Sequence, residues 1–156
     1  SFLFTVCDVG FCLEPDASPY PEAGEGRNRL TRAVLSEADL CIAVCRADPV
    51  GVKNFVAAFE SLADLVDLDR VFVVVNRARS ADARELRDLL RDRIGKSTVA
   101  FVPERVEEWR RAVAAGTSIY EGKPASEISR SLHPVVAALG GRVPRKGFLT
   151  RLGGRR

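Results

Sequence analysis

The sequence predicts an α/β fold, a mostly parallel sheet flanked by helices on both faces. Three observations carry that prediction. Short, continuous apolar runs recur along the chain, as expected of strands buried on both faces. Stretches with a helical period of apolar residues lie between them. No hairpin turn joins one run to the next, so the strands are joined by crossovers, expected to be right-handed.

The elements come in this order. Phe2 to Cys7 is an apolar run, read as a first strand, ending in Asp8-Val9-Gly10. Residues 13–27 hold three prolines and two glycines and read as a loop. Asn28 to Glu37 reads as a helix, and Ala38 to Cys45 as a second buried strand. Val52 to Val66 has apolar residues at 52, 55, 56, 59, 62, 63 and 66, a clear helical repeat. Arg70 to Val75 is a β-branched strand ending at Asn76-Arg77. Ser80 is placed to cap a helix that runs to a stop at Gly95. Thr98 to Val102 is a fourth strand, closed by Pro103. Helices are expected over Glu104 to Ala115 and Ser126 to Leu139, the latter kinked at Pro134.

Composition narrows the class. With 156 residues, 46% hydrophobic and 29% charged, the chain suits one soluble domain with a true core. It has no bilayer-length apolar run and no signal peptide, so a cytoplasmic protein is expected. It contains no methionine and opens within an apolar run, which reads as a start inside a longer polypeptide. The net charge is +3, yet residues 142–156 carry Arg142, Arg145, Lys146, Arg151, Arg155 and Arg156 with no acid. The remaining 18 basic and 21 acidic residues give a body of −3. Two regions result: a domain over 1–139, and a linker with a basic tail over 140–156.

The four cysteines form no CxxC pair. Cys7, Cys41 and Cys45 lie in apolar runs and are expected to be buried and reduced. The single histidine, His133, leaves no basis for a zinc site or a Ser-His or Cys-His nucleophile.

In open parallel sheets ligands bind beyond the carboxyl ends of the strands. That directs attention to Asp8-Val9-Gly10, Arg46-Ala47-Asp48-Pro49, Asn76-Arg77 and Pro103-Glu104. A strand-end carboxylate such as Asp8 suits a Mg²⁺ ion held through water, and Gly10 permits the backbone to approach a phosphate. A loop-capping aspartate is the alternative. The Asn76 amide suits an adenine edge, or equally a turn. Gly95-Lys96-Ser97-Thr98 spells the end of a P-loop, but Leu90 stands where the first glycine is required. The order is also helix then strand, the reverse of a phosphate cradle.

In the tail, Phe148, Leu149 and Leu152 share one face of a short helix, flanked by Lys146 and Arg151. That pattern suits an anionic membrane surface, and two copies on a dimer would bind more firmly than one. A solvated terminus, or an arm on nucleic acid, is the alternative.

Taken together these features resemble the C-terminal portion of MinD/ParA-type P-loop ATPases, and among them the MinD-like branch. Phe4-Thr5-Val6-Cys7-Asp8-Val9-Gly10 is similar to the family's strand and switch II aspartate. Ser36 to Val44 is similar to its passage from helix into buried strand, and Ala47-Asp48-Pro49-Val50-Gly51-Val52 to its loop into the next helix. Val73-Val74-Val75-Asn76-Arg77 resembles the strand that ends in an adenine-contacting asparagine. Val102-Pro103-Glu104, Arg111-Ala112 and Gly116 to Glu121 resemble its next stretch. Lys146 to Gly153 is close to the MinD membrane-targeting tail.

The resemblance implies an ATP- and Mg²⁺-binding ATPase, with its phosphate-binding lysine loop and switch I ahead of Ser1. Such a protein forms a homodimer on ATP. It sits at the inner face of the membrane and positions division, pilus or chromosome machinery there, in concert with a protein regulator. The resemblance gives Asp8 and Gly10 catalytic roles, Asp8 the Mg²⁺ through water, and Asn76, Arg77, Pro103 and Glu104 the base pocket. It gives the membrane contact to Lys146, Phe148, Leu149, Arg151 and Leu152. This chain alone is not expected to hydrolyse ATP. The Asp-Val-Gly-Phe-Cys sequence departs from the usual Asp-x-Pro-x-Gly, and the insertion from Glu14 to Glu25 is atypical. The alternatives are therefore a non-hydrolysing scaffold of the same fold, or a partitioning relative whose basic tail meets DNA.

Overall fold

The computed structural model describes residues 4–10, 12–14, 27–96, 99–122 and 126–140. Its centre is a sheet of three parallel strands, β1 (Cys41–Arg46), β2 (Val71–Ala78) and β3 (Val99–Pro103), in the order β1-β2-β3. Cys41 pairs with Val71 and Val73 with Val99, so the strands start nearly level. Helix α1 (Arg27–Glu37) leads into β1, α2 (Pro49–Ala63) joins β1 to β2, and α3 (Ala83–Ile94) joins β2 to β3. Beyond β3 come α4 (Val106–Ala114), α5 (Ile119–Gly122), α6 (Glu127–Ser131) and α7 (His133–Ala138).

The two faces of the sheet arise from strand alternation. Cys41, Cys45, Val71, Val73 and Val75 point to one core with Leu35 of α1, Phe59 of α2 and Leu90 of α3. Phe72, Val74, Ala100 and Val102 point to the other, with Ala112, Ile119 and Ile128 from the later helices. The β-branched run 71–75 is buried at every position because β2 is central and covered twice. The prediction of a parallel α/β sheet with helices on both faces is met over these three strands.

Local chemistry sets the helix ends. Asp48 caps α2 by accepting from the Gly51 N–H at 3.0 Å, and Pro49 occupies the first turn. Gly95 ends α3 at φ 69°, its N–H donating to the Arg91 carbonyl at 3.0 Å. Ser118 and Glu121 form a reciprocal box at the start of α5, with bonds of 2.9 and 3.2 Å. The Ser118 backbone N–H first, and the Ser118 side chain second, hold the Glu121 carboxyl below its ordinary range.

Several expectations need correcting. The strand expected over Phe2–Cys7 is not formed in its described part. Residues 4–10 are irregular, and Phe4 and Val6 are exposed. A strand exists only with a neighbour, and β1 has none on that side among the described residues. Cys7 is accordingly exposed, not buried, whereas Cys41 and Cys45 are buried as expected. The cap position of α3 is Asp82, not Ser80, and it makes no side-chain cap bond. The single kinked helix over Ser126–Leu139 is two helices, broken at Leu132, with Pro134 in the first turn of the second.

Candidate functional site

The carboxyl ends of β1, β2 and β3 form one edge of the sheet, and the partners of its residues define its shape. At the end of β1, Arg46 Nε bonds the Asp48 carboxylate in an exposed ion pair. That bond, with the Gly51 N–H second, holds the Asp48 carboxyl below its ordinary range. The same pair, with a smaller contribution from Glu104 across the edge, holds the Arg46 guanidinium above its ordinary range. Gly51 is required by a close approach. A Cβ on it would stand 2.6 Å from the Arg46 carbonyl oxygen.

At the end of β2 the ladder breaks. Val75 pairs with Phe101 and Ala78 with Pro103, so Asn76 and Arg77 form a bulge between them. The Asn76 carbonyl accepts from the Ala47 N–H at 3.0 Å, which ties the bulge to β1. The Ala78 carbonyl accepts from the Glu104 N–H at 3.3 Å, which ties it to β3. Arg77 sits at φ 58°, the only non-glycine residue with positive φ among those described. The Asn76 side-chain Oδ1 accepts from the Arg77 N–H at 2.8 Å and braces that conformation. Both side chains are exposed. Pro103 is half-buried and Glu104 exposed, while Arg105 is engaged by Glu127.

The structure therefore brings together Asn76, Arg77, Pro103 and Glu104, and beside them Arg46 and Asp48 of the other strand end that the sequence singles out. It does not bring Asp8 or Gly10 to this edge as strand-end residues, because the strand that was to carry them is not formed. Asp8 is an exposed carboxylate in an irregular segment, and Gly10 lies beside Thr31 of α1. Among the described residues no group of three or more His, Cys, Asp or Glu side chains is gathered in a way that would hold a metal ion. Lys146, Phe148, Leu149, Arg151 and Leu152 lie outside the described residues, as do Ser97 and Thr98.

The opposite, amino edge is structural. Arg70 Nη1 donates to the Ala38 carbonyl at 3.0 Å, and Lys96 Nζ bonds the Leu68 carbonyl. Lys96, the lysine of the apparent P-loop ending, is thus tied to the sheet's far end. Gly95 before it caps a helix. Among the described residues no helix is long and apolar enough to cross a membrane. The close approach at Gly51 and the left-handed Arg77 had no warning in the sequence, since neither can be inferred from residue type.

No family model matches the chain, and no curated protein matches it.

Proposed function

We propose that the carboxyl edge of the sheet is the base-side half of a nucleotide site. We further propose that the chain works within a MinD/ParA-like ATP-binding protein that dimerises on ATP and positions cellular machinery at a membrane. The observation that carries the nucleotide reading is the bulged end of β2, with Arg77 at φ 58° and Asn76 exposed beside Pro103 and Glu104. A non-glycine residue in the left-handed region costs about 1–2 kcal/mol, and such strain gathers at ligand sites.

The residues present fit a purine base. The Asn76 amide retains donors for a ring edge, and half-buried Pro103 offers an apolar surface to a ring face. Arg77 sets a positive charge beside it, while Arg46 is paired with Asp48. ATP with Mg²⁺ supplies the phosphoanhydride that a full ATPase cleaves. The described residues contain no cradle for its phosphates, so this half-site should recognise the base more than the charge. A non-hydrolysing scaffold is the second reading, favoured by the exposed, irregular setting of Asp8. The resemblance of the tail supports the membrane contact through Phe148 and Leu149.

The test is binding of adenosine and ATP to the 156-residue chain. The two should bind with similar, weak affinity, and Asn76→Ala should weaken both. Uridine binding as tightly as adenosine would defeat the base reading. ATP hydrolysis by this chain would defeat the assignment of a half-site. For the tail, replacing Phe148 and Leu149 with Asp should abolish binding to anionic liposomes, and unchanged binding would rule out the membrane contact.

A further inference from the structure

Helix α4 turns one apolar position into the core and leaves a separate apolar strip bare. Ala112 is buried in the second core with Phe72, Val74 and Ile128. Val106, Trp109 and Val113 stand at i, i+3 and i+7 and so lie along one strip of the helix. They are 51%, 42% and 78% exposed. The helix that carries them is well fixed. Arg105, just ahead of it, bonds Glu127, and Gly116 at φ 62° turns the chain just after it. The strip is therefore held in place before anything binds it.

The order of charges says what fits the strip. Glu107 and Glu108 precede Trp109, and Arg110 and Arg111 follow it. The helix thus runs from acid to base with its tryptophan in the middle. A second copy laid antiparallel, about a two-fold axis beside Trp109, sets Val106 of each copy against Val113 of the other. The flank next to the strip carries Arg110, Ala114 and Glu107. In an antiparallel pair like flanks meet, so Glu107 of each copy faces Arg110 of the other, and small Ala114 lets the helices approach. Within one chain those two side chains are loosely engaged, 69% and 75% exposed with 3.4 Å between Arg110 Nη1 and Glu107 Oε1. A parallel pairing would set like charges side by side and align the two helix dipoles. The chain's own tail, basic and without an acid, suits the Glu107-Glu108 end of the strip but not the Arg110-Arg111 end.

We propose that α4 is a self-association surface, on which a second copy of this chain docks antiparallel with the two Trp109 rings meeting at the axis. Three apolar side chains on a nine-residue helix make a small contact. It falls below the about 1,200 Å² of stable interfaces, so the pair is weak and depends on concentration. It needs no nucleotide and lies on a helix flank, not at the carboxyl edge of the sheet. It is thus distinct from the ATP-dependent dimer proposed above and stands whether or not that edge binds a base.

Trp109 is the only tryptophan in the chain, so its emission reports on the strip directly. In the 156-residue chain without nucleotide, the emission should move to the blue as concentration rises from about 1 to about 500 µM. Sedimentation equilibrium should show the mass rising from one chain towards two over the same range. Val113→Glu should abolish both changes and leave the urea midpoint in dilute solution unmoved, since Val113 is largely exposed. Glu107→Arg and Arg110→Glu should each weaken association at least about tenfold, because like charges then meet. An equimolar mixture of those two variants should associate again, since two opposite-charge pairs form between them. A chain that stays monomeric overturns the inference, as does a dimer that forms only with ATP, a dimer that leaves the Trp109 emission unmoved, or charge variants that stay apart when mixed. Emission that is blue at every concentration, and moves to the red when Phe148 and Leu149 are replaced with Asp, would give the strip to the chain's own tail instead. A blue shift in a monomeric chain only on adding anionic vesicles would give it to a membrane.

Discussion

Gly51 lies so close to Arg46 that a Cβ built on it would be 2.6 Å from the Arg46 carbonyl oxygen and 2.8 Å from the Arg46 Cβ. The first turn of α2 is thus pressed against the end of β1. This contact sets the Arg46–Asp48 pair on the carboxyl edge of the sheet.

Gly51→Ala should therefore be costly, because the obstructing atom is backbone and cannot swing aside. The loss should lie near the top of the about 1–3 kcal/mol typical of overpacking. Gly95→Ala is the matched control. Gly95 has φ 69° with open space around its Cβ position, so only backbone strain is added, about 1–2 kcal/mol. Urea denaturation should rank the two variants in that order.

Arg77 should be a site where stability and binding oppose each other. Relief of its left-handed strain gains about 1–2 kcal/mol, and the added freedom of glycine in the unfolded chain returns about 0.5–1 kcal/mol. Arg77→Gly should thus raise the urea midpoint slightly. It should at the same time weaken adenosine and ATP binding alike, since glycine frees the backbone that Asn76 Oδ1 braces beside the base. A destabilised variant would show that neighbouring contacts, not strain, dominate at Arg77.

The thiols should divide by burial. Burial raises the Cys41 thiol, and raises Cys45 to about 11, with the Asp48 carboxylate adding to it. Iodoacetamide at mildly alkaline pH should label exposed Cys7 and Cys12 first and leave Cys41 and Cys45 until unfolding. The folded state keeps the Cys45 proton longer than the unfolded state does. Its contribution to stability is thus intact below the ordinary thiol value of 9.0 and is lost as pH rises towards about 11. Cys45→Ala should flatten that part of the stability curve. An unchanged curve would assign the alkaline loss to other groups.

Asp48 should act at the other end of the pH scale. Its carboxyl is held below the ordinary value, first by Arg46 and then by the Gly51 N–H. Its contribution is present above the ordinary carboxylate range and fades as pH falls through the depressed value. Asp48→Asn keeps a capping oxygen but loses the charge, so it should remove the acid-sensitive part while α2 still starts at Pro49. Circular dichroism during acid titration distinguishes the two.

How far the sequence could be read depended on whether each feature is local. The buried run Val71–Val75 and the helical repeat from Val52 announced themselves, because burial on one or two faces leaves a period in the residues. Asn76, Arg77, Pro103 and Glu104 were legible because they stand at the carboxyl ends of recognisable strands. The failure over Phe4–Cys7 was one of pairing: composition marks a strand-former but says nothing of its neighbour. Ser80 and Asp82 are both short polar residues two positions apart, and only the turn at Arg79–Asp82, with its 3.0 Å ion pair, decides between them. The left-handed backbone of Arg77 arises from a bulge between two strands, a relation that no single segment contains.

The central claim is that the carboxyl edge of the sheet takes an adenine base. The most direct measurement is a map of amide shifts in the ¹⁵N-labelled chain as adenosine is added. Changes are predicted at Asn76, Arg77 and Glu104, spreading to Ala47, with Lys96 at the opposite edge unmoved. Shifts centred on Lys96, or none at the end of β2 at saturating adenosine, would contradict it.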